Sequence, residues 1–230
     1  LRLLVALAGI GFAVLLIMMQ LGFRAALFES AVRFHERLNY DIALFSTNSV
    51  FIVRPQPFST RRLYQALGDE SVASVSPVHI FPGVWKNPWS DGRRSINVIG
   101  FNPEDNILEA VGFDDYRRLL RQQDSVIFDA VSRPEFGPVA ENFSPDRVLT
   151  TELNDRKVRV VGLFEMGTSF GIDGSIMTSE DNWLRLFPDR HRNDIELGLI
   201  TLKEGADPEA TRDRLREYLP KDILVMTKSD

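Results

Sequence analysis

The chain has 230 residues, of which 44% are hydrophobic and 26% charged, and its formal net charge is -5. It contains no cysteine, which excludes disulfides, thiolate catalysis and cysteine-ligated zinc. The negative net charge and the lack of a long run of basic residues argue against nucleic-acid binding, because neutralising phosphates requires clustered lysine and arginine.

The first predicted element is an uncharged apolar run at residues 3–23. As a helix it would be about 31 Å long, close to the thickness of the hydrocarbon core of a bilayer. We therefore predict a transmembrane helix. The main alternative is a cleaved signal peptide, since Arg24, Ala25 and Ala26 follow the run, although signal sequences usually have an apolar region of about 7–15 residues. A buried core helix is a further alternative.

The helical pattern continues beyond the apolar run. Apolar residues recur there at spacings of four, three and four, at Leu27, Ala31, Phe34 and Leu38. No proline or glycine interrupts residues 23–38, so we predict a stiff stalk that ends near residue 39. The apolar seam could pack against another helix or against the chain's own soluble domain.

The remaining residues, about 200, are enough for an α+β domain with its own core. In its first part we predict strands at residues 40–45, 50–53 and 95–100 and a helix that begins after an N-cap at Ser59. Residues 72–85 have strand composition but include Pro77 and Pro82, which predicts bulged strand segments or an edge strand. Asp91-Gly92 marks a hairpin turn before the strand at 95–100.

In the second part, Asn102-Pro103 predicts the start of a short helix with Ile107, Leu108 and Val111 on its apolar side. A second helix is predicted at residues 114–122, and loops with short helices at 129–146. The last predicted elements are strands at 125–128, 147–151, 157–164, 195–202 and 223–226, and helices capped by Ser179 and Asp207.

The order of these elements predicts three parts. Residues 1–39 form the transmembrane helix and stalk, and residues 40–100 pair with 195–230 in one α+β subdomain, because strand-helix-strand order recurs in both. Residues 101–194 form an inserted, β-rich subdomain.

One loop has a glycine-rich composition that occurs in some binding sites. Residues 167–174 are rich in glycine, but they lack the lysine of a phosphate-binding loop. We interpret this loop first as a flexible hairpin tip. The alternative is contact with a partner protein or an apolar substrate, because an aromatic side chain on an exposed loop favours such contacts. The predicted contact residues are Gly167, Thr168, Ser169, Phe170 and Gly171.

No catalytic, cofactor or metal site is predicted. His35, His79 and His191 are too far apart in sequence for a metal-ligand motif, and we expect surface or capping roles for them. The carboxylates are scattered, and no nucleophile motif is present.

Residues 3–34, which are the apolar run and part of the helical segment after it, resemble a known family together with three further segments. They are YDIALFSTNS at residues 40–49, VRVVGLFEMGTSFGIDGSIMTSEDNW at 158–183 and EYLP at 217–220. The chain resembles the permease subunit of MacB-like ABC exporters, most closely the DevC type of cyanobacteria.

The resemblance implies a periplasmic core domain between the first and second of four membrane helices, in the bacterial inner membrane. It implies a homodimer without enzymatic activity or cofactor, in contact with membrane lipid. The implied partners are a separate ABC ATPase subunit, a periplasmic adaptor (membrane fusion) protein and a TolC-like outer-membrane channel, and the implied substrate is glycolipid or other envelope material. The alternatives are the ectodomain of a membrane-anchored sensor and a lipoprotein-releasing-type permease of the same superfamily.

Overall fold

The computed structural model describes residues 9–23, 37–49, 55–108, 113–169 and 171–230, except for the side chains of residues 113–115. Residues 9–23 are helical, and their largely apolar side chains are exposed. Within the described ranges, no helix has both the length and the apolar character needed to cross a membrane. The predicted span at residues 3–23 lies partly outside these ranges, and the predicted strand at 50–53 lies wholly outside them.

The domain is built on a mixed β-sheet. Its strands are β1 (Ile42–Ser46), β3 (Val72–Lys86), β4 (Arg93–Phe101), β5 (Ser125–Asp129), β6 (Leu149–Leu153), β7 (Arg156–Phe164), β8 (Ser175–Ser179), β10 (Leu197–Leu202) and β11 (Ile223–Thr227). They lie in the order β11-β1-β10-β3-β4-β8-β5-β7-β6. The two remaining strands of the described chain, β2 (Phe58–Ser59) and β9 (Asp194–Ile195), form a separate small ribbon.

Short helices cover the sheet. They are α1 (Thr60–Gln65), α2 (Phe113–Leu120), α3 (Val139–Asn142), α4 (Glu180–Leu186) and α5 (Pro208–Tyr218), with 3₁₀ turns at Ala66–Gly68 and Pro134–Phe136. The predicted N-caps are confirmed, since the side chains of Ser59, Ser179 and Asp207 each accept a hydrogen bond from a backbone N–H in the first turn.

β3 differs from its prediction, because it is one continuous strand of 15 residues. Its first half pairs with β10 and its second half with β4, and Trp85 near the end of the second half also pairs with Leu153 of β6. Backbone groups alternate in direction along a strand. The Val78 carbonyl accepts Glu196 N–H and Ile80 N–H donates to the Glu196 side chain, so the backbone groups of both residues point toward β10. Pro77 is one residue from Val78 and therefore points away from β10. Pro82 is two residues from Ile80 and therefore points toward the β10 side, away from β4. Both prolines therefore sit where no ladder hydrogen bond is lost.

The predicted short helix after Asn102 is wrong for residues 102–108. The Asn102 side chain does accept the Glu104 N–H, at 3.2 Å, but the chain forms only a turn. The backbone of the next residues pairs elsewhere, since the Ile107 carbonyl accepts the Asn39 N–H at 2.9 Å and Leu108 bridges to Leu38. A tertiary pairing thus replaces the local helix.

The two ranges predicted as subdomains occupy opposite halves of the same sheet. Strands β11, β1, β10, β3 and β4 come from residues 40–100 and 195–230, whereas β8, β5, β7 and β6 come from 101–194. The halves meet where β4 pairs in parallel with β8, and again where Trp85 of β3 pairs with Leu153 of β6. The division into two subdomains stays a prediction.

Both faces of the sheet are buried. On β1, Ile42 and Leu44 face a core closed by α1 and α5, whereas Ala43 and Phe45 face a second core. A third core lies in the half that contains β5, β6 and β7, around Trp183. All five residues of β1 are buried because each face of the strand packs against a core.

Candidate functional site

The glycine-rich loop connects β7 to β8, and Asp129 ties its first residues to the domain. The Asp129 carboxylate accepts the backbone N–H groups of Met166 at 3.1 Å and Gly167 at 3.0 Å. The side chain is fully buried. Burial raises the pKa of its carboxyl, although these N–H donors and that of Val131 favour the charged form.

Replacing Asp129 by Asn should change how stability depends on pH. Because the folded-state pKa of Asp129 is raised, its contribution to stability is complete below the usual pKa of about 3.9 and is lost as pH rises through the folded-state value. The free energy of unfolding of the wild type, relative to Asp129→Asn, should therefore fall as pH rises above about 4. Denaturant titrations at a series of pH values measure this difference, and a constant difference would contradict the assignment.

The tip of the loop is a tight turn. Ser169 and Ile172 exchange backbone hydrogen bonds of 2.9 and 3.2 Å, and Gly171 has a φ of 93°, which side chains disfavour. Gly167, with a φ of 91°, makes a second sharp bend. The structure thus places four of the predicted contact residues, Gly167, Thr168, Ser169 and Gly171, whereas Phe170 lies outside the described residues.

The end of the loop is also fixed. The Arg133 guanidinium lies 2.9 Å from the Asp173 carboxylate, and Arg133 N–H donates to the Asp173 carbonyl at 2.9 Å. Asn97 N–H donates to the Gly174 carbonyl at 3.0 Å. Between the loop and the outer part of β3 and β4 lies a groove of about 320 Å³, and we call it the loop groove.

A second candidate region is the segment around Leu38, the last residue of the predicted seam. Leu38 is 1% exposed and belongs to the core that also holds Leu108. The Leu38 carbonyl accepts the Lys228 ammonium group at 2.8 Å. This end of the seam therefore packs on the chain's own domain, whereas Leu27, Ala31 and Phe34 lie outside the described residues.

The residues after Leu38 hold the first and last strands together. The Asp41 carboxylate accepts Leu202 N–H at 2.7 Å, and the Asp41 carbonyl accepts Lys228 N–H at 3.3 Å. The Lys228 ammonium lies 5.5 Å from the ring centre of Tyr40, a cation–π contact. Burial raises the pKa of Tyr40 to about 12. We call Leu38, Tyr40, Asp41 and Lys228 the entry junction.

The entry junction and the glycine-rich loop share a core. Leu38 and Tyr40 belong to the same hydrophobic cluster as Met166, the residue that precedes Gly167. Protein cores are packed as tightly as organic crystals and transmit strain. The junction and the base of the loop are therefore parts of one packed core.

A buried polar network lies where β3 meets α4 and β10. His79 Nε2 lies 3.2 Å from a Glu180 carboxylate oxygen, and His79 is fully buried. The buried Glu196 carboxylate accepts Ile80 N–H at 2.9 Å and pairs with Arg190, and burial raises its pKa. The expected surface or capping role is wrong for His79. Gly100, its partner on β4, has no side chain, so Trp183 packs against Gly100 and its ring stacks on His79 and buries it.

Sequence patterns could not reveal this network or Asp129. His191 is exposed, as expected, and His35 lies outside the described residues. Among the residues that the structure does describe, no group of three or more His, Asp or Glu side chains could hold a metal ion. The sequence signal for Asp129 was its position directly after Val126, Ile127 and Phe128, which indicates burial but not the hydrogen bonds to the loop.

Comparison with solved structures shows the fold. The chain is similar to the periplasmic region of MacB from Actinobacillus actinomycetemcomitans, with 13% identity and a TM-score of 0.56, over 85% of this chain and 92% of that one. It is also similar to the extracellular domain of the noncanonic ABC-type transporter YknZ from Gram-positive bacteria, with 15% identity and a TM-score of 0.52, over 81% of this chain and 99% of that one.

Comparison of sequences shows the family. No curated protein matches the chain significantly. The family model of the MacB-like periplasmic core domain matches residues 3–218, which is most of the sequence and includes the apolar run, the entry junction up to Asp41 and the loop. The chain therefore belongs to the MacB-like periplasmic core domain family.

Proposed function

We propose that this chain is part of the permease subunit of a MacB-like ABC exporter, of the DevC type, and that it contains the first membrane helix and the periplasmic domain. The subunit would sit in the bacterial inner membrane with several membrane helices in its full length. It would couple ATP hydrolysis on a separate subunit to the expulsion of envelope material from the periplasm.

The observation that carries this proposal is the extent of the family match. It runs from residue 3 to residue 218, so it includes the apolar run together with the domain. The exposed apolar side chains of residues 9–23 favour membrane insertion of that run, because a soluble surface rarely exposes so much contiguous apolar area. The solved similar structures include a region of MacB and a domain of an ABC-type transporter.

In this proposal the domain transmits force and performs no chemistry. The stalk would move when the ATPase subunits close, and the entry junction would pass the movement into the domain through Leu38. Because Lys228 binds the Leu38 carbonyl, the first and last strands of the domain would move as one unit.

The proposed partners follow from the same role. A homodimer would place two domains side by side above the membrane, and a periplasmic adaptor and a TolC-like channel would receive the substrate. The glycine-rich loop is our candidate contact for one of these partners or for the substrate.

Purification of the full-length protein from its native membrane tests the proposal. We expect an ABC ATPase and an adaptor protein to co-purify with it after mild solubilisation. Recovery of a histidine kinase or a chemoreceptor signalling protein instead would favour the sensor ectodomain, and recovery of lipoprotein-releasing components would favour the related permease.

Replacing Ala31 by Pro in the full-length protein should abolish export while ATP hydrolysis continues. Proline within a helix removes a hydrogen bond and costs about 3 kcal/mol or more, so a predicted stiff stalk would kink. Ala31→Ser, which keeps the backbone N–H, is the matched control. Export and ATPase activity are measured on the same assembled complex, and normal export by the proline variant would contradict a force-bearing stalk.

A further inference from the structure

The outer edge of β11 is an open end of the main sheet. β11 is the first strand in the sheet order and has β1 on one side. An edge strand presents a row of backbone N–H and C=O groups that can pair with another chain. At the opposite end of the sheet, Leu153 of β6 pairs with Trp85 of β3, so part of that edge is covered. β11 is therefore the strand beside which a further strand can be added.

Two hydrogen bonds show which backbone groups of β11 face outward. The Asp222 carbonyl accepts Thr47 N–H at 3.1 Å, and Lys228 N–H donates to the Asp41 carbonyl at 3.3 Å. The backbone groups of Asp222 and Lys228 thus point to the side of β1. Because these groups alternate in direction along a strand, those of the odd-numbered residues between them point away from β1.

Part of this outward row is occupied by the chain itself. The Val225 carbonyl accepts Arg216 Nε at 3.0 Å. The Asp230 carboxylate accepts Thr227 N–H at 2.9 Å, and Asp230 N–H donates to the Thr227 carbonyl at 3.2 Å. Among the residues that the structure describes, no partner binds the other three outward groups, which are Ile223 N–H, the Ile223 carbonyl and Val225 N–H. These three can pair with one short stretch of an antiparallel strand.

A groove of about 560 Å³ lies along this part of β11, and we call it the edge groove. Much of its lining is apolar, and one of the apolar side chains, Leu224, is 43% exposed. Its charged residues are both cations, Arg216 and Lys221, and no acid lines it. The apolar surface, the free backbone N–H groups and the two cations together favour an extended segment that carries a negative charge.

The two cations are not neutralised inside the edge groove. The Arg216 guanidinium lies 3.8 Å from the Asp213 carboxylate and 3.6 Å from that of Asp230, and neither acid lines the groove. The Lys221 ammonium donates to the Arg216 carbonyl, and it forms no ion pair within the described part of the chain. Lys221 is therefore the cation with most of its charge available to a ligand.

We propose that the edge groove binds an extended, largely apolar segment of a partner protein that carries an acidic side chain. The segment pairs antiparallel with β11, and one of its residues exchanges two backbone hydrogen bonds with Ile223. Ile223 faces the core closed by α5, so the side chain opposite it lies on the side of α5, which carries Arg216. The adjacent side chains of the segment lie on the other face, beside Leu224. The acidic residue therefore belongs between two apolar ones.

A second copy of the chain does not fit the edge groove in this way. β11 has the sequence ILVMT and contains no acid. Two paired β11 edges would bring like charges together and leave both sets of cations without carboxylates, which disfavours such a pair. The occupant is therefore a different protein. Binding goes beyond the proposed function, and only the identity of this partner as an export component rests on that function.

Fluorescence anisotropy on the complete chain in lipid nanodiscs tests the edge groove. The probe is the labelled peptide acetyl-Thr-Val-Glu-Val-Thr-amide, and two comparison peptides have glutamine or lysine in place of the glutamate. We expect the glutamate peptide to bind about threefold more tightly than the glutamine peptide, the effect of one exposed ion pair, and the lysine peptide to bind more weakly than either. Equal binding of the three peptides would overturn the proposal.

Reversing one charge of the chain separates recognition from folding. Lys221 is exposed, so Lys221→Glu should leave the domain folded. It should weaken binding of the glutamate peptide about three- to tenfold and strengthen binding of the lysine peptide. Lys157→Glu is the matched control, because Lys157 is an exposed lysine of β7 outside the groove. The same change of preference in both variants, or in neither, would overturn the assignment of the groove.

Hydrogen exchange resolved to single residues tests the strand pairing. The bound peptide should slow exchange at Ile223 and Val225, whose N–H groups face outward, and change little at Leu224, whose N–H faces β1. Unchanged exchange at Ile223 and Val225 would overturn strand addition. Protection there that rises with protein concentration in the absence of peptide would assign the edge to a second copy and overturn the choice of partner. Failure of peptide binding while an ATPase and an adaptor still co-purify would overturn this inference alone.

Discussion

Replacing Trp183 by Ala is expected to lower the free energy of unfolding by about 3–5 kcal/mol, the range for loss of a fully buried large aromatic side chain. Trp183 is 0% exposed, and its ring stacks on His79 with ring centres 4.6 Å apart. Its indole N–H donates to the Val98 carbonyl at 3.1 Å, and that carbonyl would lose a buried partner. The loss therefore combines a cavity with an unsatisfied acceptor.

The matched control for this prediction is Trp89, another tryptophan of the same domain. It is 45% exposed at the hairpin between β3 and β4. Trp89→Ala should change the free energy of unfolding by less than about 1 kcal/mol, as surface substitutions usually do. Urea titrations followed by far-ultraviolet circular dichroism compare both variants with the wild type. Equal losses would show that burial around Trp183 does not stabilise the domain as described.

Replacing Leu38 by Ala is expected to lower the free energy of unfolding by about 2–5 kcal/mol, the range for truncation of a buried leucine. Leu38 is 1% exposed in the core that contains Ile107 and Leu108. Under the proposed function it should also reduce export more than ATP hydrolysis, because the chain would be less firmly packed where it enters the domain.

Two variants control the Leu38 prediction. Leu38→Met keeps most of the buried volume, so it should retain both stability and export. Leu67→Ala removes a leucine that is 49% exposed and should have little effect on either quantity. Full export by Leu38→Ala at a temperature where the variant stays folded would show that packing at the entry junction is not needed for coupling.

The features that the sequence predicted well depend on neighbouring residues. A helix cap needs only a side chain and the next turn, and the caps at Ser59 and Asp207 formed as predicted. The turn that joins β6 to β7 is equally local, because Asn154 and Asp155 take up positive φ values of 51° and 59° there. In each case the conformation is decided within a few residues.

The features that the sequence could not predict depend on distant pairings. Leu38 and Lys228 are 190 residues apart, and no local pattern brings them together. The burial of His79 depends on Gly100 of the next strand and Trp183 of a helix. The expected helix after Asn102 failed for the same reason, because distant backbone groups competed successfully with the local ones.

The loop groove is a site that could be predicted from the sequence only in part. The sequence indicated a glycine-rich loop, and the structure has sharp bends at Gly167 and Gly171, whose φ values are 91° and 93°. Asn97, which lines the groove, gave no signal, because its place beside the loop depends on the register of β3, β4 and β8. Residues from separate strands can be recognised as one site only after the order of the sheet is known.

The positions of the two prolines in β3 have a consequence for how this protein behaves at high concentration. A long strand with exposed edges can recruit a strand from a second molecule, and this is a common start of aggregation. In β3, Pro77 and Pro82 remove donors from those edges, and the side chains of Glu196 and Asn154 occupy two others in the outer half. The edges of β3 should therefore recruit no strand from a second molecule when the protein is concentrated.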